Sequence, residues 1–133
     1  MALYTGLGTI LGHNFPFYMN FNGGKGIAAT SGVLLSLALF DWKFVVMAAL
    51  TFFVALAITK YVSFSSLCMM TGFLIEMIVW GQLDMVRQLN AAEKMEAYIL
   101  VGIMTVLSFI RHRENIKRLA NGTERRIGEK KEA

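Results

Sequence analysis

Four apolar stretches separated by short polar breaks constrain this chain more than any other feature: residues 27–40, 44–59, 62–80 and 95–110. A helix crosses the hydrocarbon core of a bilayer with about 20 residues, so these runs approach or reach spanning length. The breaks fall at Asp41-Trp42-Lys43, at Lys60-Tyr61 and across residues 81–94, where Asp84, Arg87 and Glu93 lie. Trp42, Tyr61 and Trp80 stand at the ends of the runs, where an aromatic belt would meet the headgroups. With 56% hydrophobic residues in 133 and a mean hydropathy of +0.53, the chain is too apolar for a water-soluble domain of its size. The predicted fold is all-α, a polytopic transmembrane helix bundle of about four spans, read as one membrane-embedded domain over residues 1–133. Residues 1–11 are apolar, uncharged and too short to span, and read as the tail of a partial N-terminal helix. The one cysteine, Cys68, lies inside an apolar run, forms no internal disulfide and reads as packing.

Charge sets the expected orientation. Of the 13 Lys and Arg residues, Arg111, Arg113, Lys117, Arg118, Arg125, Arg126, Lys130 and Lys131 all follow Ile110. The positive-inside rule then makes residues 111–133 a cytoplasmic basic tail. Counting back through the runs puts Lys60-Tyr61 and residues 23–26 on the same inner face as that tail. Three polar segments are thereby expected beside one leaflet.

The first of them is the GHNFPFYMNFNGGKG segment, residues 12–26. Gly23, Gly24 and Gly26 have no β-carbon, so their backbone can approach an anion closely while Lys25 supplies positive charge. The same cluster also suits a plain flexible turn. It is not a nucleotide P-loop. Met19 stands where the first glycine of that motif belongs, and Gly26 replaces the hydroxyl residue after the lysine. Pro16 ends a helix and shapes the loop entrance, and His13 precedes it; both are read as structural.

In the tail, a helix continuing past the bilayer would set His112 and Asn115 three residues apart on one face, with Ile116 and Leu119 on the side that rests on protein or lipid. A snorkelling basic tail drawn to anionic lipid accounts for the same residues. Ser63, Ser65 and Ser66 are able to line a site, although serines in membrane helices commonly bond their own backbone. Glu76, the one acid deep in a run, needs a polar interior.

Together, GHNFPFYMNFNGGKGIAAT (residues 12–30), KYVSFSSL (60–67) and HRENIKRLANGTE (112–124) resemble the bacterial acyl-phosphate:glycerol-3-phosphate acyltransferase family in content, order and spacing. The resemblance implies an enzyme of the bacterial cytoplasmic membrane, multi-pass with its C-terminus inside. It implies transfer of an acyl group from acyl phosphate to the sn-1 hydroxyl of glycerol 3-phosphate, giving lysophosphatidic acid for phospholipid synthesis. By the same resemblance Gly23, Gly24, Lys25 and Gly26 bind the substrate phosphate and His112 and Asn115 are catalytic. Ser63 is a candidate substrate contact, and Glu124 holds the site together. Implied partners are glycerol 3-phosphate, acyl phosphate, membrane lipid and the enzyme that supplies acyl phosphate; nucleic acid is not among them.

An acyl phosphate is already activated, so alignment and charge stabilisation can suffice; no cofactor or metal is expected. The histidine and aspartate with four residues between them, used by other acyltransferases, are missing: Tyr18 follows His13 at that spacing and Lys117 follows His112. The family also carries a serine, glycine and asparagine rich loop ending in arginine near its N-terminus. Nothing in residues 1–11 matches it, so the chain reads as an N-terminally truncated member. Asn22 stands where the family often has a basic residue. Two other readings remain: a membrane transporter of a phosphorylated solute, and an inactive fragment or non-catalytic membrane subunit that holds anionic lipid.

Overall fold

The computed structural model describes residues 2–39, 41–86 and 89–129, and is helical throughout with no strand among them. Phe40, Arg87 and Lys130-Lys131, used above to bound a run or count charge, lie outside the described residues. The helices are α1 (Ala2–Asn14), α2 (Ile27–Leu37), α3 (Lys43–Thr59), α4 (Val62–Gln82), α5 (Ala91–Arg111) and α6 (Arg113–Ala120), with one 3₁₀ turn at Phe17–Met19.

Local chemistry sets several ends. Gly26 caps α2 at φ +81°, and Lys60 closes α3 in the left-handed region at φ 59°. A reciprocal capping box starts α5: the Asn90 side chain accepts from the Glu93 amide at 3.0 Å, and the Asn90 amide donates to Glu93 Oε2 at 2.8 Å. Within the apolar helices, Thr30, Thr51, Thr59, Ser65, Ser66 and Thr105 each return their hydroxyl to the carbonyl four residues back. Those bonds spare the helices an unpaired polar group in apolar surroundings.

The helices close a ring in which α1 packs on α2, α2 on α3, α3 on α4, α4 on α5, and α5 again on α1; α6 folds against α4. Met70, Phe73, Val101 and Met104 fill the centre, and Phe44 meets Phe73 edge-on at 6.0 Å between ring centroids. Close approach of α1 to α2 needs Gly6, where a Cβ would fall 2.6 Å from Val33 Cγ2. Gly81 likewise admits the Tyr98 ring between α4 and α5. Outside, Leu35, Leu39, Phe53 and Ile58 expose well over half their surface, an apolar exterior suited to hydrocarbon.

Three sequence expectations change. Among the described residues only α4, with 21 residues, is long and apolar enough by itself to cross a membrane; α2 and α3 are apolar but shorter, so four full spans are not established. α5 matches α4 in length, but Glu93, Lys94 and Glu96 occupy its first two turns. The break expected over residues 81–94 is narrower at both ends, because α4 runs on to Gln82 and α5 starts at Ala91 behind its Asn90 cap. The last helix does not continue through the tail. It stops at Arg111, and His112, at φ −96° and ψ 6°, turns the chain into the separate α6.

Candidate functional site

One cavity of about 360 Å³ opens at the end of the ring where α2 begins, α4 begins and α5 gives way to α6. His13, Lys25 and Gly26 line it from the glycine segment, Ser63 and Ser66 from α4, and His112, Asn115 and Glu124 from the C-terminal segment. The three polar segments therefore meet, although the lining residues lie as far apart along the chain as His13 and Glu124.

The glycine segment is shaped by α1. The Gly23 amide donates to the Asn14 carbonyl at 3.2 Å, and the Gly24 amide to the His13 carbonyl at 3.1 Å. Neither of these two amides is left to receive an anion, and neither glycine lines the cavity. Their missing β-carbons serve packing instead. At Gly23 a Cβ would strike the His13 carbonyl and Pro16 Cδ, and at Gly24 it would strike the His13 ring. Gly26 needs its freedom doubly, since its φ is +81° and a Cβ there would come within 2.7 Å of Asn14 Oδ1. Beyond it, Gly26, Ile27 and Ala28 bring the first turn of α2 to the cavity wall. The leading amides of a helix have no intrahelical acceptor and carry partial positive charge, and Lys25 adds its own positive charge beside them.

His112 faces this positive corner and is 1% exposed. Its Nδ1 lies 2.8 Å from the Ser108 carbonyl. A carbonyl only accepts, so Nδ1 carries the proton and the neutral ring keeps its Nε2 lone pair free. Burial pushes the imidazole pKa below its ordinary value and the nearby Lys25 charge adds to this; the Ser108 carbonyl and Glu124 oppose the shift without reversing it. His112 is therefore neutral at neutral pH, the form able to accept a proton.

Glu124 is the hub of the remaining polar groups. Its Oε1 accepts from Ser63 Oγ at 2.7 Å and from Asn115 Nδ2 at 2.6 Å, while Oε2 accepts from Arg118 Nε at 2.7 Å. Burial by itself would raise the carboxyl pKa, but hydrogen bonds from Asn115, Ser63 and Arg118, with the Arg118 charge, outweigh it and hold the value down to about 2. The segment carrying Glu124 is strapped to the start of α4: the Ile127 amide donates to the Lys60 carbonyl at 2.8 Å, and Arg126 Nε donates to Tyr61 Oη at 3.1 Å. Ser63 thus presents its hydroxyl to Glu124, whereas Ser65 and Ser66 bond their own helix.

Sequence inspection missed two residues. Arg111, counted above only as tail charge, donates from Nε to the Gly24 carbonyl at 3.0 Å and from Nη2 to the Gly23 carbonyl at 2.5 Å. Asn14 is fully buried beneath Gly26, with neither side-chain polar atom bonded. The signal for Asn14 was an amide ending an apolar helix beside the glycine segment; Arg111 carried no sequence-local signal, because its partners lie 87 and 88 residues away.

Comparison with known proteins identifies the family. The family model described as glycerol-3-phosphate acyltransferase matches residues 1–122. A glycerol-3-phosphate acyltransferase of Bradyrhizobium diazoefficiens is 40% identical over 131 residues, covering 97% of this chain and 58% of that protein. One of Thermotoga petrophila is 37% identical over 124 residues, covering 92% of this chain and 55% of that protein. The chain thus spans little more than half the length of these relatives. Two crystal structures of PlsY (YgiH), an integral membrane glycerol 3-phosphate acyltransferase, superpose on it. The glycerol 3-phosphate form does so with a TM-score of 0.78 at 28% identity, over 95% of this chain and 56% of that one. The lysophosphatidic acid form gives a TM-score of 0.77, also at 28% identity, over 95% and 57%. The protein belongs to the glycerol-3-phosphate acyltransferase family.

Proposed function

We propose that this chain carries the catalytic cavity of a membrane acyltransferase that moves an acyl group from acyl phosphate to the sn-1 hydroxyl of glycerol 3-phosphate. The observation that carries the reading is the placement of a neutral, buried His112 across one cavity from Lys25 and the open first turn of α2. The phosphate of glycerol 3-phosphate sits against Lys25 and the leading α2 amides. His112 Nε2 takes the proton from the sn-1 hydroxyl as its oxygen attacks the acyl carbonyl carbon. The bond from that carbon to the phosphate oxygen breaks, inorganic phosphate departs, and lysophosphatidic acid remains. Asn115, oriented by Glu124, has a second N–H to offer the carbonyl oxygen as charge develops there. Ser63 and Glu124 act as supports for Asn115, and His13 and Pro16 as supports for the glycine segment.

The exposed apolar belt and the membrane-integral structural neighbours favour a chain embedded in the bacterial cytoplasmic membrane as one domain over residues 1–133. The basic 111–133 tail then faces the cytoplasm, where the enzyme that supplies acyl phosphate would meet it. Reconstituted in lipid vesicles, the chain is expected to convert acyl phosphate and glycerol 3-phosphate to lysophosphatidic acid and phosphate without added metal. Lys25→Ala is expected to raise the KM for glycerol 3-phosphate roughly 10- to 100-fold, the worth of one charge-assisted contact. Flux of a phosphorylated solute with no acyl transfer would replace this reading with a transporter.

A further inference from the structure

Arg111 joins the two halves of the cavity wall, and the reaction above makes no use of it. It is the last residue of α5, directly before His112, and its guanidinium lies 5.3 Å from the centre of the Phe15 ring. From there the planar fork reaches two successive carbonyls, those of Gly23 and Gly24. In a trans peptide the C=O and N–H point in opposite directions. Turning the Gly23 carbonyl to Arg111 sends the Gly24 N–H the other way, onto the His13 carbonyl, where it is found at 3.1 Å. Turning the Gly24 carbonyl to Arg111 likewise sends the Lys25 N–H away from the arginine. A peptide next to glycine rotates easily, and the reverse orientation would present a carbonyl to an anion.

We infer that Arg111 is a positioning residue for phosphate recognition: it locks the Gly24–Lys25 peptide with its donor outward and ties that peptide to His112. This rests on the acyl-transfer reading above. The fork is essential to it, because a lysine carries the charge but spans only one carbonyl. In the full chain, Arg111→Lys is expected to raise the KM for glycerol 3-phosphate about tenfold and Arg111→Gln about a hundredfold, with kcat within about threefold. The KM for acyl phosphate stays unchanged. General loosening of the fold would lower kcat rather than move one KM selectively. An unaltered KM for glycerol 3-phosphate in either folded variant overturns the inference, and Arg111→Lys decides alone if Arg111→Gln does not fold. Amide hydrogen exchange supplies a readout that needs no acyl transfer. Inorganic phosphate should slow exchange over residues 25–28 in the wild type and not in Arg111→Lys; equal slowing in both overturns the inference. A wild type that shows this slowing without acyl transfer would sink the functional reading while upholding Arg111.

Discussion

The two ends of the helix ring handle their polar groups differently. At the cavity end the decisive contacts are distant in sequence: Ser63 with Glu124, 61 residues apart, and Arg111 with Gly24, 87 apart. At the other end they are mostly local. Lys43 pairs with Asp41 at 3.7 Å, Lys94 pairs with Asp84 across a short loop, and Asn90 with Glu93 caps α5; the Tyr4–Glu96 hydrogen bond is the distant exception. Their carboxylates differ as well. Glu124 has three partners, whereas Glu76 is buried toward the far end with Oε1 unbonded. Local pairs can only close a loop, but pairs spanning half the chain fix where whole helices stand relative to one another. The cavity end is where that rigidity is concentrated.

The contrast breaks most visibly at His112. His112→Ala is expected to lower turnover about 10²- to 10⁴-fold, the range for losing a general base, with the melting midpoint measured alongside to separate folding from chemistry. Wild-type turnover in that variant would remove His112 from the reaction. In the wild type, burial and Lys25 depress the imidazole pKa, so activity should persist below the ordinary value of about 6.5 and fall only on further acidification.

The glycines sharpen the comparison next. Gly23→Ala drives its β-carbon into a backbone carbonyl that cannot yield, and should cost about 1–3 kcal/mol, as overpacking does. Gly24→Ala meets the far end of the His13 ring, which can swing aside, so its loss of stability should be smaller. Equal melting midpoints for the two variants would show that the segment is not held as described.

Glu124 gives a pH signature. Its folded pKa of about 2 lies below the unfolded carboxylate value of about 4.3, so the stability it contributes is complete above that value. That contribution is lost as pH falls through about 2. Glu124→Gln should lower stability by about 1–3 kcal/mol near neutral pH, and the gap from wild type should narrow on acidification. A gap independent of pH would mean that the charge is not what holds Ser63, Asn115 and Arg118 together. The smallest effect belongs to the far end. Asp84 is exposed and its pKa is lowered by the hydrogen bond and charge of Lys94, yet Asp84→Asn should leave both turnover and melting midpoint nearly unchanged. A loss of turnover there would mean that the ends are coupled.

Much of this organisation was legible in the chain itself. Hydrophobic runs set the number and order of the long helices, because an apolar segment without internal backbone hydrogen bonds is untenable in hydrocarbon. The three motifs were readable too, with Lys25, Ser63, His112, Asn115 and Glu124 all named from motif spacing or from resemblance, and all five line the cavity. Span count was less legible. Hydropathy alone does not reveal that α2 ends at Leu37 or that Glu93, Lys94 and Glu96 belong to α5.

What sequence by itself determined is therefore the helical, lipid-suited character of the chain and which residue types carry its polar chemistry, since both follow from periodicity and side-chain identity. Tertiary structure decided the rest: that Gly23 and Gly24 serve packing, that Asn14 lies buried under Gly26, and that Arg111 reads as a clamp rather than a tail charge. Each depends on a neighbour delivered by another helix, and distance in space is the one quantity that spacing along a chain does not contain.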